Sequence, residues 1–397
     1  MPKAIVIGAG TAGPAAAQLL AQQGWEASLF DARDDLDASA GLFLNVAVNG
    51  RRVLDRLGVG DRLMTDAHPA GQIHISSGRG KHLATVPNGP GGRPGDGGVI
   101  VRRGWLQRVL WDAAAAAGVH IRPGSRLTDL TTEPDTVTAH FADGHVEQGD
   151  IVIGADGVGS LVRRHIAPAV APQFTGLIGT GGFAKVPGLA PTPGAQHMVF
   201  GARSFFGYLV RDDGTVYWFA NLTADRPART GGADEQSTLE RLVALHADDP
   251  DPVPRILAYA HGAVGEYPIF RLGSVPRWWS GRVIAIGDAV HATSPSAGQG
   301  ASLALEDAAE LAAALRAHSD HRRAFATFEQ TRRRRAERIV AYAAAIDRQK
   351  RASKNRAVVA ARDALLPLFL KNAAKSTRYD WVFDYAPPLV GAAVDPI

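Results

Sequence analysis

Hydrophobic and polar positions fall into three textures along the chain. Residues 4–7 (AIVI) form a short apolar run between Lys3 and Gly8, as expected of a fully buried strand. Spaced glycines then open a turn, and residues 14–23 have the composition of a helix ended by Gly24. A second strand over 26–31 completes a βαβ-like unit. The pattern predicts a helix over 49–57, with Asn49 able to cap it and Val53, Leu54 and Leu57 on one face. Residues 87–98 (PNGPGGRPGDGG) predict an exposed loop. A helix over 105–117, a strand over 119–121, paired strands about a turn at Asp143 and Gly144, and a buried strand over 151–153 follow.

Between about 174 and 270 the texture changes. FFGYLVRDDGTVYWFANL alternates around Asp213 and Gly214, the signal of a β-hairpin within a larger sheet. The first texture returns with a strand over 282–286, a Gly-rich loop and a long helix over 300–317, and helical character continues to about 370. The apolar tail DWVFDYAPPL is expected to pack back onto the body. The fold class is therefore α/β. A Rossmann-like part (1–70, 100–170 and 275–320) is interrupted by an inserted β-sheet part (71–99 and 171–274), and a helical C-terminal region spans 321–397.

Composition narrows the chemistry. The 397 residues are 46% hydrophobic and 21% charged, which fits a folded globular protein of two or three domains. With no Cys there is no disulfide framework, thiolate metal site or cysteine nucleophile, so redox chemistry must be carried by a bound cofactor. A reducing, cytoplasmic compartment is the expectation, with no metal site. The first 21 residues superficially imitate a signal peptide, but their three spaced glycines fit a strand, turn and helix better, and no apolar run is long enough for a membrane span. Net charge is +4 and uneven: residues 320–362 hold 13 Lys/Arg against 4 Asp/Glu. The run Arg332, Arg333, Arg334 and Arg335 reads as a solvated helix face or as a helix packed against an acidic neighbour rather than a nucleic-acid footprint, because no interleaved aromatics accompany it.

GAGTAG places Gly8, Gly10 and Gly13 between a strand and a helix, with Thr11 and Ala12 in the turn. Gly8 permits the tight turn, Gly10 lets backbone approach a pyrophosphate, and Gly13 allows close helix–strand packing. Asp31 ends the next strand, where a carboxylate can accept from adenosine ribose hydroxyls. This fingerprint alone does not distinguish FAD from NAD. Two further segments favour FAD: IVIGADGVGSLVRR (151–164) and RVIAIGDAVHATSPSAGQGASLALEDA (282–308) each run a buried strand into an Asp/Gly turn, at Asp156 and Asp288. Gly298, Gln299, Gly300 and Ala301 then precede a helix whose free amides suit the anionic N1–C2=O edge of a reduced flavin.

With these motifs the chain resembles, over nearly its whole length, the class A flavoprotein monooxygenases of the p-hydroxybenzoate hydroxylase fold, in their salicylate-hydroxylase-like branch. The resemblance implies that Arg103, from the pattern VRRGWLQ, contacts FAD, and that Asp31, with Ala32 and Arg33 beside it, meets the ribose. It implies ribityl binding by Asp288, a shared FAD and NAD(P)H role for Asp156, adenine contact at Leu127, and an isoalloxazine lining of Pro295, Gly298, Gly300 and Ala301. Two departures stand out. The family's Pro-Asn-Ala appears as Val48, Asn49 and Gly50, expected to loosen the flavin-side loop over 41–45, and the Asn after GQGA is Ser302, expected to offer the flavin one hydrogen bond.

The implied reaction is the flavin's: NADH or NADPH, a transient co-substrate without a second GxGxxG, reduces FAD, and dioxygen added at C4a hydroxylates or epoxidises an electron-rich carbon. Leu44 and the hairpin aromatics Phe206, Tyr208, Tyr217 and Phe219, with Val210, Trp218 and Asn221, are the candidate pocket walls, and they favour a bulky, largely apolar aromatic or polycyclic substrate. His74, His197 and His291 carry no acid–base assignment. A halogenase shares the fold, but its Trp-x-Trp motif is missing and Trp278 with Trp279 reads as packing. A flavin reductase and a non-catalytic FAD-binding homologue remain as alternatives.

Overall fold

The computed structural model describes residues 1–35, 37–39, 41–91, 96–201, 203–227, 235–261, 264–350 and 377–386. One six-stranded sheet runs in the order Trp279–Ser280, Val283–Ala285, Ile151–Gly154, Lys3–Ile7, Glu26–Phe30, His120–Arg122. All but the Trp279–Ser280 edge strand are parallel. Helices cover its strands, which is why AIVI and IVIG are apolar at every position instead of alternating. The helices Ala12–Ala21, Arg103–Ala116 and Gly300–Ala317 share this core.

A second, eight-stranded sheet is built from Gln72–Ser77, His82–Pro87 and strands between residues 173 and 271, with the hairpin Phe205–Val210 and Thr215–Thr223 at its centre. Gly214, at φ 77°, makes the hairpin turn. One face is covered by the helices Glu235–His246 and Val253–Ala258, which the β-rich texture of this segment concealed. A three-stranded antiparallel sheet of Phe43–Val46, Gly98–Arg102 and His68–Ala70 lies between the two large sheets.

Three expectations need correction. The helix after the flavin-side segment is Val48–Arg56, so Asn49 sits inside it and is fully buried instead of capping it. Of residues 41–45, expected as a loosened loop, 43–45 belong to the paired strand Phe43–Val46. The Gly/Pro-rich stretch is not uniformly exposed: Asn88, Gly89 and Pro90 are buried, and 92–95 lie outside the described residues. The helix His321–Lys350 packs along Gly300–Ala317, while the continuation expected to 370 falls outside the described residues.

The tail over 377–386 does return to the body. Arg335 donates to the carbonyls of Trp381 and Val382, and Arg52 to that of Tyr385. No helix among the described residues is long and apolar enough to cross a membrane.

Candidate active site

The three motif turns meet at the carboxyl ends of neighbouring parallel strands. Gly8, at φ 103°, could carry no side chain, since a Cβ would lie 2.4 Å from the Ala155 carbonyl oxygen of the second motif. On Gly13 a Cβ would lie 1.9 Å from the Gly8 carbonyl oxygen, whereas Gly10 faces nothing within 4 Å. The turn is thus closed on two sides and open at Gly10. The Gly287 turn packs on Ala12 and Ala304, and Arg163, almost fully buried, donates to the Ala289 carbonyl at 3.0 Å. Arg163 ties the second motif to the third, a role the sequence reading missed.

Asp31 braces the first turn from the neighbouring strand. It accepts from the Ala9 amide at 2.6 Å and from the Arg33 amide and guanidinium at 2.9 and 2.8 Å. Burial pushes its carboxyl up, but the Arg33 and Ala9 donors outweigh it and hold it below the usual carboxylate range. The segment leading to Leu127 lies alongside, with the Ser125 and Gly124 amides donating to the Asp31 and Arg33 carbonyls.

Asp156 already has partners within the chain: its carboxylate accepts from Ser160 Oγ and from the amides of Leu161 and Val162, bracing the start of the helix Leu161–Ile166, whose N-cap is Ser160. The DG spacing that suggested a ligand contact also places a carboxylate at a helix start.

Asp288 behaves differently: its carboxylate accepts no hydrogen bond from the described residues. Solvent reaches it, yet protein crowds it closely enough that burial pushes its carboxyl up, against the pull of His291 and Arg103. Arg103 is exposed at the start of the helix Arg103–Ala116, against Gly41.

The short helix Pro295–Ala297 ends at Gly298 in the left-handed region, and Gly300–Ala317 begins two residues on. Ser302 is fully buried, and its hydroxyl accepts from the Ala47 amide at 3.0 Å, so it holds chain rather than facing a ligand. The two family departures fit each other. A Cβ on Gly50 would stand 2.6 Å from Ser302 Oγ.

Behind this turn lies an ion network. Glu306 accepts from Asn49 at 2.6 Å and from Arg335 through both oxygens at 2.8 Å. Asp307 accepts from the Gly287 amide at 2.8 Å, His291 Nε2 at 2.5 Å and Arg332 Nε at 2.8 Å, and Arg332 Nη1 stands 2.7 Å from Glu306. Arg332, Arg333 and Arg335 thus meet acidic neighbours while Arg334 is exposed, and His291 is a structural group. Burial lowers the His291 imidazolium's pKa, but Asp307 outweighs it and the net direction is up.

The candidate pocket residues fall on opposite faces of the sheet. Phe206, Tyr208, Val210 and Trp218 pack under the two covering helices, so they cannot line a pocket with Tyr217 and Phe219. The sequence reading set them in one pocket; the register pairs Tyr208 with Trp218 and Leu209 with Tyr217, so Phe206, Tyr208 and Val210 share a face with Trp218 and not with Tyr217 and Phe219. His197 stacks on Tyr208 on that far side with His74 beside it, and burial pushes His197 down to about 4. On the near face the Phe43 ring lies 5.1 Å from Tyr217, 6.0 Å from Phe219 and 6.5 Å from Phe183. Phe43, Phe183 and Phe219 are only half-buried, and Leu44 packs on the first core.

A family model described as "FAD binding domain" matches residues 2–343. The chain belongs to that family. A 6-hydroxynicotinate 3-monooxygenase of Bordetella bronchiseptica is 30% identical over 346 residues, covering 85% of this chain and 89% of the relative. An FAD-dependent urate hydroxylase of Klebsiella pneumoniae is 30% identical over 341 residues, 83% and 85% of the two chains. The solved structure of Klebsiella pneumoniae HpxO complexed with FAD and uric acid superposes with a TM-score of 0.83 at 25% identity, covering 95% of this chain and 96% of that one. This FAD-binding family member is therefore an FAD-dependent monooxygenase of class A, and the halogenase and non-catalytic alternatives fall away.

Proposed function

We propose that this flavoprotein uses NADH or NADPH and dioxygen to hydroxylate or epoxidise a bulky, largely apolar aromatic or polycyclic substrate, in a cytoplasmic setting. Segments 1–70, 100–170 and 275–320 would seat the cofactor, and 71–99 with 171–274 the substrate. The observation that carries the reading is the half-open aromatic wall of Phe43, Phe183 and Phe219, on the sheet face nearest the motif turns. Half-buried rings suit a flat aromatic ligand, and the Arg102 guanidinium, 5.3 Å over the Phe183 ring, adds one cation at the edge of this wall.

The residues fit an FAD. The open side of the turn at Gly10 admits a pyrophosphate against the amides of Thr11 and Ala12, at the start of the helix Ala12–Ala21. The Asp288 carboxylate is free to take ribityl hydroxyls, and Arg103 supplies charge beside it. An adenosine ribose would share Asp31 with Arg33, close to Leu127. Gly298, Gly300 and Ala301, with Pro295, would meet the isoalloxazine edge. Bound FAD supplies hydride acceptance and activation of dioxygen; the chain's part is to orient the substrate carbon and exclude water, and the aromatic wall does both.

The test is mass spectrometry of products formed under isotopically labelled dioxygen, with NADH or NADPH and a panel of polycyclic, indolic and polyketide aromatics set against small aromatic acids. One labelled oxygen atom in a bulky product is the expected result. Turnover confined to small anionic aromatics overturns the substrate assignment, and undiminished turnover without oxygen overturns the use of dioxygen.

A further inference from the structure

The strand Phe43–Val46 carries one side-chain amide that neither motif nor pocket accounts for. Asn45 Nδ2 donates to the Gly298 carbonyl at 3.1 Å, and its Oδ1 accepts from Asn88 Nδ2 at 2.9 Å. Asn88 Nδ2 also donates to the Ala70 carbonyl at 2.8 Å, and the Asn88 backbone is held by Gly71 and Gly98. Both ends of this relay are backbone carbonyls, which can only accept. Each amide must therefore turn its NH2 towards the carbonyl, and only one orientation of the pair satisfies both.

Two glycines leave the relay its space. A Cβ on Gly98 would stand 2.7 Å from Asn45 Oδ1 and 2.8 Å from Asn88 Nδ2, and one on Gly298 would stand 3.0 Å from Asn45 Nδ2. The bond from Asn45 reaches a peptide with unusual leverage. Gly298 adopts φ 61° and directly precedes Gln299, the N-cap of the helix Gly300–Ala317. Across a trans peptide the carbonyl and the next N–H point in opposite directions. Fixing the Gly298 carbonyl on Asn45 thus fixes the Gln299 N–H on the other side, at the positive end of the helix.

We propose that Asn45 is a positioning residue for the flavin: acting through Gly298, it aims the Gln299 amide at the pyrimidine edge of FAD, and Asn88 locks Asn45 in the donating orientation. This rests on the placement of FAD given under Proposed function. It also makes the flavin's seat dependent on the substrate sheet, because Asn88 immediately follows the strand His82–Pro87.

Asn45→Asp separates polarity from size, since the carboxylate keeps an acceptor for Asn88 but has no proton for Gly298. FAD is titrated into apoprotein, affinity is read by flavin fluorescence and compared with wild type at each pH, and the visible spectrum of bound flavin is recorded. At pH 8 Asn45→Asp is expected to bind FAD about tenfold more weakly than wild type. The gap should close as pH falls and the new carboxyl acquires an O–H to donate. Asn45→Ala should lose about five- to tenfold at every pH. Both should shift the flavin absorption maxima while the apoprotein melting temperature stays near wild type. Asn88→Ala, remote from the turn, should lose less in the same direction and serves if the Asn45 variants do not fold. Affinities within twofold of wild type with unchanged spectra, in protein that binds FAD normally, overturn the inference and leave the FAD reading intact. Failure of the wild-type protein to bind FAD overturns both.

Discussion

Replacing Asp307 by Asn keeps the shape of a fully buried side chain and removes its charge. The carboxylate sits among His291, Arg332 and the Gly287 amide. Burial pushes its pKa up, yet His291 and Arg332 outweigh burial and hold it at about 2 against an ordinary 3.8. At about 1.4 kcal/mol for each tenfold change in proton affinity, that difference stores roughly 2 kcal/mol of stability. A depressed carboxyl stabilises the fold at pH above its unfolded value, and the contribution disappears as pH falls from about 4 towards 2. The neutral amide would also remove one of the two carboxylates paired with the buried Arg332, so the loss at pH 7 should lie between roughly 2 kcal/mol and the 3–5 kcal/mol typical of breaking a buried ion pair. The assay is urea unfolding of wild type and Asp307→Asn from pH 2.5 to 8, followed by tryptophan fluorescence; Trp278, 5.4 Å from the His291 ring, reports locally. The gap between the proteins should be widest near neutrality and narrow at pH 2.5. A gap below about 1 kcal/mol at pH 7, or one that persists undiminished at pH 2.5, would show that the charge network does not carry this stability.

Two further substitutions probe the same helix. Gly50→Ala drives a Cβ to 2.6 Å from Ser302 Oγ and should cost about 1–3 kcal/mol, much of it recovered when combined with Ser302→Gly; additive losses in denaturant unfolding would deny the contact. Burial raises Glu310 to about 6 against Arg332, with Glu306 and Asp307 adding to the rise, so its native form holds a proton that the unfolded chain has already lost above pH 4.5. Glu310→Gln should therefore raise the melting temperature above pH 6 and leave it unchanged below pH 4.5; a gain that ignores pH would refute the assignment.

The parallel sheet was legible because its strands announce themselves twice, as uniformly apolar runs and as runs ending in Gly turns, so Gly8, Gly13 and Asp288 fall where the pattern put them. Side-chain partners were less legible. Asp156 as a ligand contact was drawn from its DG spacing, which carried no sign that its carboxylate also braces the start of the helix Leu161–Ile166. Ser302 looked like a weakened ligand residue because Gly50, 252 positions earlier, carries no mark that it makes room for it. The same distance hid Asn45, whose partners are one carbonyl and one amide on remote segments. Alternation in the hairpin left Phe206 and Phe219 in one candidate pocket, because the cross-strand register that puts them on opposite faces, and the helices that cover one face, were not legible.

The strand order has a consequence for how the protein is made. Lys3–Ile7 lies between Glu26–Phe30 and Ile151–Gly154, and the latter needs Val283–Ala285 on its other side. At about 5–20 residues per second, the last of these leaves the ribosome roughly 15–55 s after the first. Ile151–Gly154 waits for Val283–Ala285, the helix Ala12–Ala21 waits longer still for Gly300–Ala317, and the Gly287 turn gains its Arg332 support only when the helix His321–Lys350 is under way. The nucleotide pocket is encoded first and completed nearly last. Nascent chains should therefore depend on chaperone shelter, and FAD can be captured only late in synthesis or after release.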